Sequence, residues 1–196
     1  MEPTDNNLML AVKSGDPQPF ALLFDRYQRR LFEFFYRFSG DSASSEDLVQ
    51  EVFLRMLKYR NSFRADSDFR PWMYQIARSV RIDRFHAQRG ERPLPEAAAD
   101  ILESRSFGPF QHLMNAERMS ALQEALLELP EEKRELLILA RFQELKYEEI
   151  GSLLEVATGT IKVRVHRAML ELREILQRIA GPSTEAKPCV AKKFGK

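Results

Sequence analysis

Between Phe20 and Phe38 the apolar residues recur at steps of three and four: Phe20, Leu23, Phe24, Tyr27, Leu31, Phe34, Phe35 and Phe38. At 100° per residue these positions share one stripe, so the segment is a long helix whose aromatic face has to be covered by other elements. The same spacing governs most of the chain and strand-like alternation is almost absent, which predicts an all-α fold. With 196 residues there is room for one medium domain or two small ones.

Punctuation along the chain resolves the helices. Gly40 and Asp41 end the aromatic helix, and Ser44 or Ser45 is expected to cap a second one, with Glu46 and Asp47 in its first turn. Its apolar side is Leu48, Val49, Val52, Phe53, Met56 and Leu57. A polar loop from Tyr59 to Ser67 leads to a third helix from about Asp68 to Gln88, with Pro71 in its first turn, and a shorter helix near Leu8 to Ser14 precedes all three. From Gly90 to Pro109 there are three prolines and two glycines, a composition expected of a flexible linker. Helical spacing resumes near Asn115, and Pro130 opens a further helix, Glu131 to about Gln143. A short helix, Tyr147 to Leu154, precedes a long one from Thr158 to Ile179, which Gly181 and Pro182 stop. The expected division is an N-terminal helical domain at 1–89, a linker at 90–114, a C-terminal helical domain at 115–181 and a flexible tail at 182–196.

Lys and Arg total 30 against 29 Asp and Glu, so any surface for a polyanion has to arise from local segregation of charge. Two helices show it. From Thr158 to Ala168 there are three bases and His166 but no acid, at the N-terminal end of a helix that follows a short helix and a turn, the proportions of a helix-turn-helix. Ile161, Val165, Ala168, Leu172 and Leu176 face the core, while Gly159, Lys162, Val163, His166, Arg167 and Leu170 point away. Lys162, Arg167 and His166 are candidates for base edges or phosphates, Val163 for a thymine methyl, and Thr158, Thr160 and Arg164 for the DNA backbone. On the third helix Phe69, Trp72, Met73, Ile76 and Val80 form the expected core face, with Arg70, Tyr74, Arg78, Arg81, Phe85 and Gln88 on the other side. Between Arg70 and Arg92 six arginines stand against Asp83 and Glu91, a local charge of +4. Cations interleaved with rings suit a single strand of DNA, whose phosphates they track and whose bases can stack.

Other chemistries find little support. The single cysteine, Cys189, excludes an intrachain disulfide and a Cys-based zinc site, and the three histidines fall in separate segments without ligand spacing. No metal, cofactor or catalytic residue is expected. The acidic N-terminus lacks an apolar signal core, and no apolar run reaches the ~18 residues a membrane span needs, so a cytoplasmic protein without membrane insertion is expected.

Two stretches resemble a known family. LPEEKRELLILARFQELKYEEIGSLLEVATGTIKVRVHRAMLELREIL, from Leu129, is similar to the C-terminal domain of bacterial RNA polymerase sigma factors of the extracytoplasmic-function (ECF) class. FRPWMYQIARSVRIDRF and SSEDLVQEVFLRML resemble that family's −10-binding segment and its polymerase-docking helix. The resemblance implies that Thr158, Thr160, Lys162, Val163, Arg164, His166 and Arg167 contact the −35 duplex. It assigns Asp47, Gln50 and Glu51 to the β′ clamp helices of core RNA polymerase and the C-terminal domain to the β flap. It places a flipped −10 base on the loop Asn61 to Ser67, with Asn61, Ser62 and Arg64 as contacts, and adds Ser79 to the −10 set of Arg70, Tyr74, Arg78, Arg81 and Gln88. An anti-sigma factor is an implied partner. Three positions depart from the family: Glu155 stands where glycine is common, Val163 where serine is frequent, and Ser79 where asparagine is frequent. The expected function is therefore promoter recognition for core polymerase. The alternative is a stand-alone helix-turn-helix regulator with an N-terminal sensing or protein-binding domain, which leaves the arginine face unexplained.

Overall fold

A computed structural model describes residues 3–88 and 116–180, with side chains at 3–87 and 121–180; the expected linker and tail lie outside these. Eight α-helices are present among the described residues, and no strand. They are α1 (Asp5–Lys13), α2 (Gln18–Ser39), α3 (Ser42–Lys58), α4 (Phe69–Gln88), α5 (Ala116–Glu128), α6 (Glu131–Leu137), α7 (Tyr147–Leu154) and α8 (Thr158–Ala180).

The N-terminal helices close around the aromatic stripe. Leu31, Phe34 and Phe35 of α2 meet Val49, Val52, Phe53 and Met56 of α3 and Met73 of α4, all fully or almost fully buried. Rings tile the core edge to face, Phe20 on Phe53 at 5.8 Å and Phe34 on Phe35 at 5.2 Å. Each such ring removed from water stabilises the fold by roughly 2–3 kcal/mol. Gly40 ends α2 in the left-handed conformation, φ 74°. The cap of α3 is Asp41, whose Oδ1 accepts from the Ala43 amide at 3.1 Å. The sequence reading placed it at Ser44 or Ser45, but Ser45 is buried with its hydroxyl donating to Asp41 O, so Glu46 and Asp47 stand in the second turn. The Ser44 hydroxyl also donates to Asp41, and that hydrogen bond holds the carboxyl below its ordinary pKa.

Helix α1 is a clamp on the loop before α4. The Asn6 amide donates to Ser67 O at 3.1 Å and accepts from the Phe69 N–H at 2.8 Å, capping α4 from another element. Lys13 Nζ donates to Phe63 O at 2.6 Å, and Phe63 is buried. Asp5 in turn accepts from Tyr27 and from Arg26, tying α1 to α2.

In the C-terminal unit α8 packs on α5, α6 and α7 through Ile161, Val165, Ala168, Leu172 and Ile175. Pro130 precedes α6 as expected, but the helix does not run unbroken to Gln143. After Leu137 it widens into a π turn, Ile138–Phe142, closed by Gln143 N–H to Ile138 O at 2.9 Å. The wider turn rotates Phe142 and Gln143 toward the N-terminal helices. Glu144 follows in the left-handed region, φ 54°.

The turn between α7 and α8 sets two opposing expectations. Glu155 is left-handed at φ 56°, ψ 40°, a conformation that costs a side-chain-bearing residue about 1 kcal/mol relative to glycine. Gly151 is buried, and a Cβ there would sit 2.8 Å from the Val156 carbonyl oxygen, a contact that backbone has to move to relieve. Thermal denaturation should therefore show Glu155→Gly raising stability by about 1 kcal/mol and Gly151→Ala lowering it by roughly 1–3 kcal/mol.

Candidate nucleic-acid interface

The recognition end of α8 is presented as its sequence dictates. Burial of Ile161, Val165 and Ala168 leaves Thr160, Lys162, Val163, Arg164, His166 and Arg167 exposed, with Thr158 half-buried at the start of the helix. Val163 is 49% exposed, large for an apolar side chain inside a helix. These seven candidates surround the solvent side of about the first three turns of α8, the end of a recognition helix that enters a major groove.

The candidates for the −10 strand divide into two groups. Asn61, Ser62, Arg64 and Ser79 are exposed. Ser62 Oγ donates to Tyr59 O at 2.7 Å and accepts from the Trp72 indole N–H at 3.2 Å, while Arg64 is paired with Asp66 at 2.9 Å. Ser62 and Ser79 line a cavity of about 430 Å³ with Arg55, Tyr59, Trp72, Gln75 and Ile76. Trp72 was assigned to the core, yet it is only half-buried, its ring edge on Phe63 at 5.3 Å. Tyr59 and Arg55, which line the same cavity, are not among the expected contacts. The α4 wall of the cavity is legible in the spacing, since Trp72, Gln75, Ile76 and Ser79 form a third stripe between the apolar and arginine faces.

The second group, Arg70, Tyr74, Arg78 and Arg81, is covered by the C-terminal unit. Tyr74 corrects the sequence reading: expected opposite the core, it is 0% exposed, its hydroxyl donating to Gln143 Oε1 at 2.6 Å and its ring 5.6 Å from Phe34. Burial pushes its phenol well above its ordinary pKa, so it is a neutral donor. The reason is that α4 has neighbours on both sides, α3 on one and α7 with the π turn's Gln143 on the other. Arg70 donates to Gln143 O. Arg78 Nε meets Glu135 Oε1 at 2.8 Å, and Arg81 pairs with Glu131 and, at 3.5 Å, with Glu135. The side chain of Gln88 lies outside the described residues.

Of the polymerase candidates, Asp47 and Gln50 are exposed and Glu51 is half-buried. Glu51 accepts from Arg55 Nε at 2.6 Å, and Arg55 also reaches Asp83 at 2.5 Å and Ser79 Oγ at 3.3 Å. Burial draws the Arg55 pKa down, but its hydrogen bonds to Asp83 and Glu51 outweigh that and leave it raised, a fixed cation between α3 and α4. Among the described residues no cluster of three or more His, Cys, Asp or Glu side chains is placed to hold a metal, and no helix is long and apolar enough to cross a membrane.

Comparison with known proteins finds two family regions on the chain. The family model for Sigma-70 region 2 matches residues 23–91, and that for Sigma-70 region 4 matches residues 119–172. The ECF RNA polymerase sigma factor SigW of Bacillus subtilis (strain 168) is 30% identical over 174 residues, covering 85% of this chain and 93% of the relative. The ECF RNA polymerase sigma-E factor of Escherichia coli (strain K12) is 33% identical over 177 residues, covering 84% and 90%. Among solved structures, CnrH in complex with the cytosolic domain of CnrY has the same fold, with TM-score 0.68 at 20% identity over 89% of this chain and 97% of that one. The sigma factor RpoE in complex with the anti-sigma factor NepR from Bartonella quintana gives TM-score 0.63 at 26% identity, covering 81% and 96%. Both family regions lie in order on one chain, and the relatives span more than four-fifths of it. The chain belongs to the ECF class of RNA polymerase sigma factors.

Proposed function

We propose that this sigma factor directs core RNA polymerase to promoters by a division of labour between its two units, 1–89 and 115–181. The C-terminal unit holds −35 duplex through Thr158, Thr160, Lys162, Val163, Arg164, His166 and Arg167. The N-terminal unit captures the opened −10 strand through Asn61, Ser62, Arg64, Arg70, Tyr74, Arg78, Ser79, Arg81 and Gln88. Asp47, Gln50 and Glu51 dock on the β′ clamp helices, and the C-terminal unit reaches the β flap.

The observation that carries this reading is the exposed, acid-free basic end of α8 on the same chain as a region 2 unit with an arginine-rich helix. A stand-alone regulator accounts for α8 but gives no role to region 2. The work is binding and strand capture alone, with no chemical step of its own, and it takes place in the cytoplasm. An anti-sigma factor is the regulatory partner we assign, on the strength of the solved RpoE complex with NepR. Few base contacts per unit imply that the free chain binds promoters weakly and with strong salt dependence.

The test is initiation by purified chain with core polymerase on fragments selected from random DNA by the reconstituted holoenzyme. Specific initiation is expected, and absence of any complex with core contradicts the reading. Arg167→Ala should lower −35 duplex affinity by about 1–3 kcal/mol, whereas Arg78→Ala should lose open-complex formation with duplex binding largely kept. Equal effects of both variants on both steps contradict the division.

A further inference from the structure

The arginine face of α4 meets carboxylates where a polynucleotide would bring phosphates. Glu131 and Glu135 stand one turn apart on α6, and Arg78 and Arg81 stand three residues apart on α4, so each pair presents a single face to the other. Glu135 is only 6% exposed and lies against both guanidinium groups, while Glu131 pairs with Arg81 from the rim. Gln143 fills the adjoining space, accepting from Arg70 with its carbonyl and from Tyr74 with its side chain. On α2, Arg37 lies 3.8 Å above the Phe142 ring, and Phe38 O accepts from Arg134 at 2.8 Å.

We infer that this seam is an autoinhibitory contact: the α6 carboxylates stand in for DNA phosphates on α4 and keep the arginine part of the −10 face covered in the free chain. The inference rests on the assignment of α4 to the opened strand. The recognition end of α8 stays exposed in the same arrangement, so the closed chain can meet duplex DNA but offers a melted strand only Asn61, Ser62, Arg64 and Ser79 and not the arginine face. The seam is built to open. Between α4 and α6 its contacts are ion pairs, which phosphates can replace, and Arg37 Nε, Arg81 Nε, Arg134 Nε, Gln123 Oε1 and Gln143 Nε2 are buried without a hydrogen-bond partner among the described residues. Covering lowers apparent affinity by the fraction of chains that are open, so weakening the seam raises affinity without adding a contact to DNA.

Three full-length variants test this against the wild-type chain: E131Q/E135Q, E131Q alone, and E132Q, which removes the same charge from an exposed position of α6. Affinity for a fluorescein-labelled, mixed-sequence single strand is read by anisotropy, chain dimensions by small-angle scattering and helix content by circular dichroism. E131Q/E135Q is expected to expand and to bind roughly tenfold more tightly or better, E131Q to shift less in the same direction, and E132Q to match the wild type. Expansion without tighter binding overturns the inference, as does a double variant that keeps its helices and neither expands nor gains affinity. If the double variant does not fold, E131Q alone decides in the same way. Initiation by the wild-type chain with core polymerase is measured in parallel. Failure there with a gain in strand affinity removes the promoter reading and keeps the masking; initiation without that gain removes the masking alone.

Discussion

Glu135 is the buried charge through which α6 is held against α4. A carboxylate buried to this degree is costly unless paired, and Arg78 and Arg81 supply both the charge and the hydrogen bond that compensate it. Other contacts accompany that placement. With α6 fixed against α4, the π turn delivers Gln143 to Arg70 and Tyr74, and Arg134 reaches the carbonyl and ring of Phe38. Burial holds Arg37 and Arg134 below the ordinary guanidinium pKa. A pair of this kind stabilises little against an apolar contact of similar size, but losing one partner leaves the other charge stranded. That asymmetry makes the seam specific in register and replaceable by a partner that brings negative charge of its own.

A second constraint organises the exposed half of the −10 candidates. Helix α1 has no candidate contact of its own, yet Asn6 and Lys13 fix the loop from Phe63 to Phe69 through three hydrogen bonds. The loop that carries Arg64 is thereby held against α1. Arg55 performs a similar task between faces, since one guanidinium holds Glu51 on the polymerase side and Ser79 and Asp83 on the other. The proposed polymerase face and the proposed −10 site are thus linked through that side chain.

Much of this was legible in the residues. The Phe20 to Phe38 stripe specifies α2 and its burial, Gly40 specifies its end, and the spacing from Ile161 to Leu172 separates the buried and exposed faces of α8. These succeed because periodicity reports directly on one helix packed on one side. Tyr74 escaped that logic: a helical projection distinguishes two faces of α4 but says nothing of a second neighbour. The π turn after Leu137 escaped for a related reason, since Glu131 to Gln143 reads as one helix and only tertiary contacts with α2 and α4 favour widening it. Asp41 and Ser45 exchanged roles because both are good caps, and burial of Ser45 decided between them. The left-handed turn at Glu155 was visible as a departure from glycine, though its dihedral angles needed coordinates.

The account as a whole depends on the two units being closed in the free chain and separated on the polymerase. The most direct measurement is the distance between spin labels at Gln50 and Arg173, exposed positions on α3 and α8, recorded for the chain alone and bound to core polymerase. A single narrow distribution for the free chain, replaced by a longer distance in the holoenzyme, is the result predicted. A broad distribution in the free chain, or the same distance in both states, contradicts it.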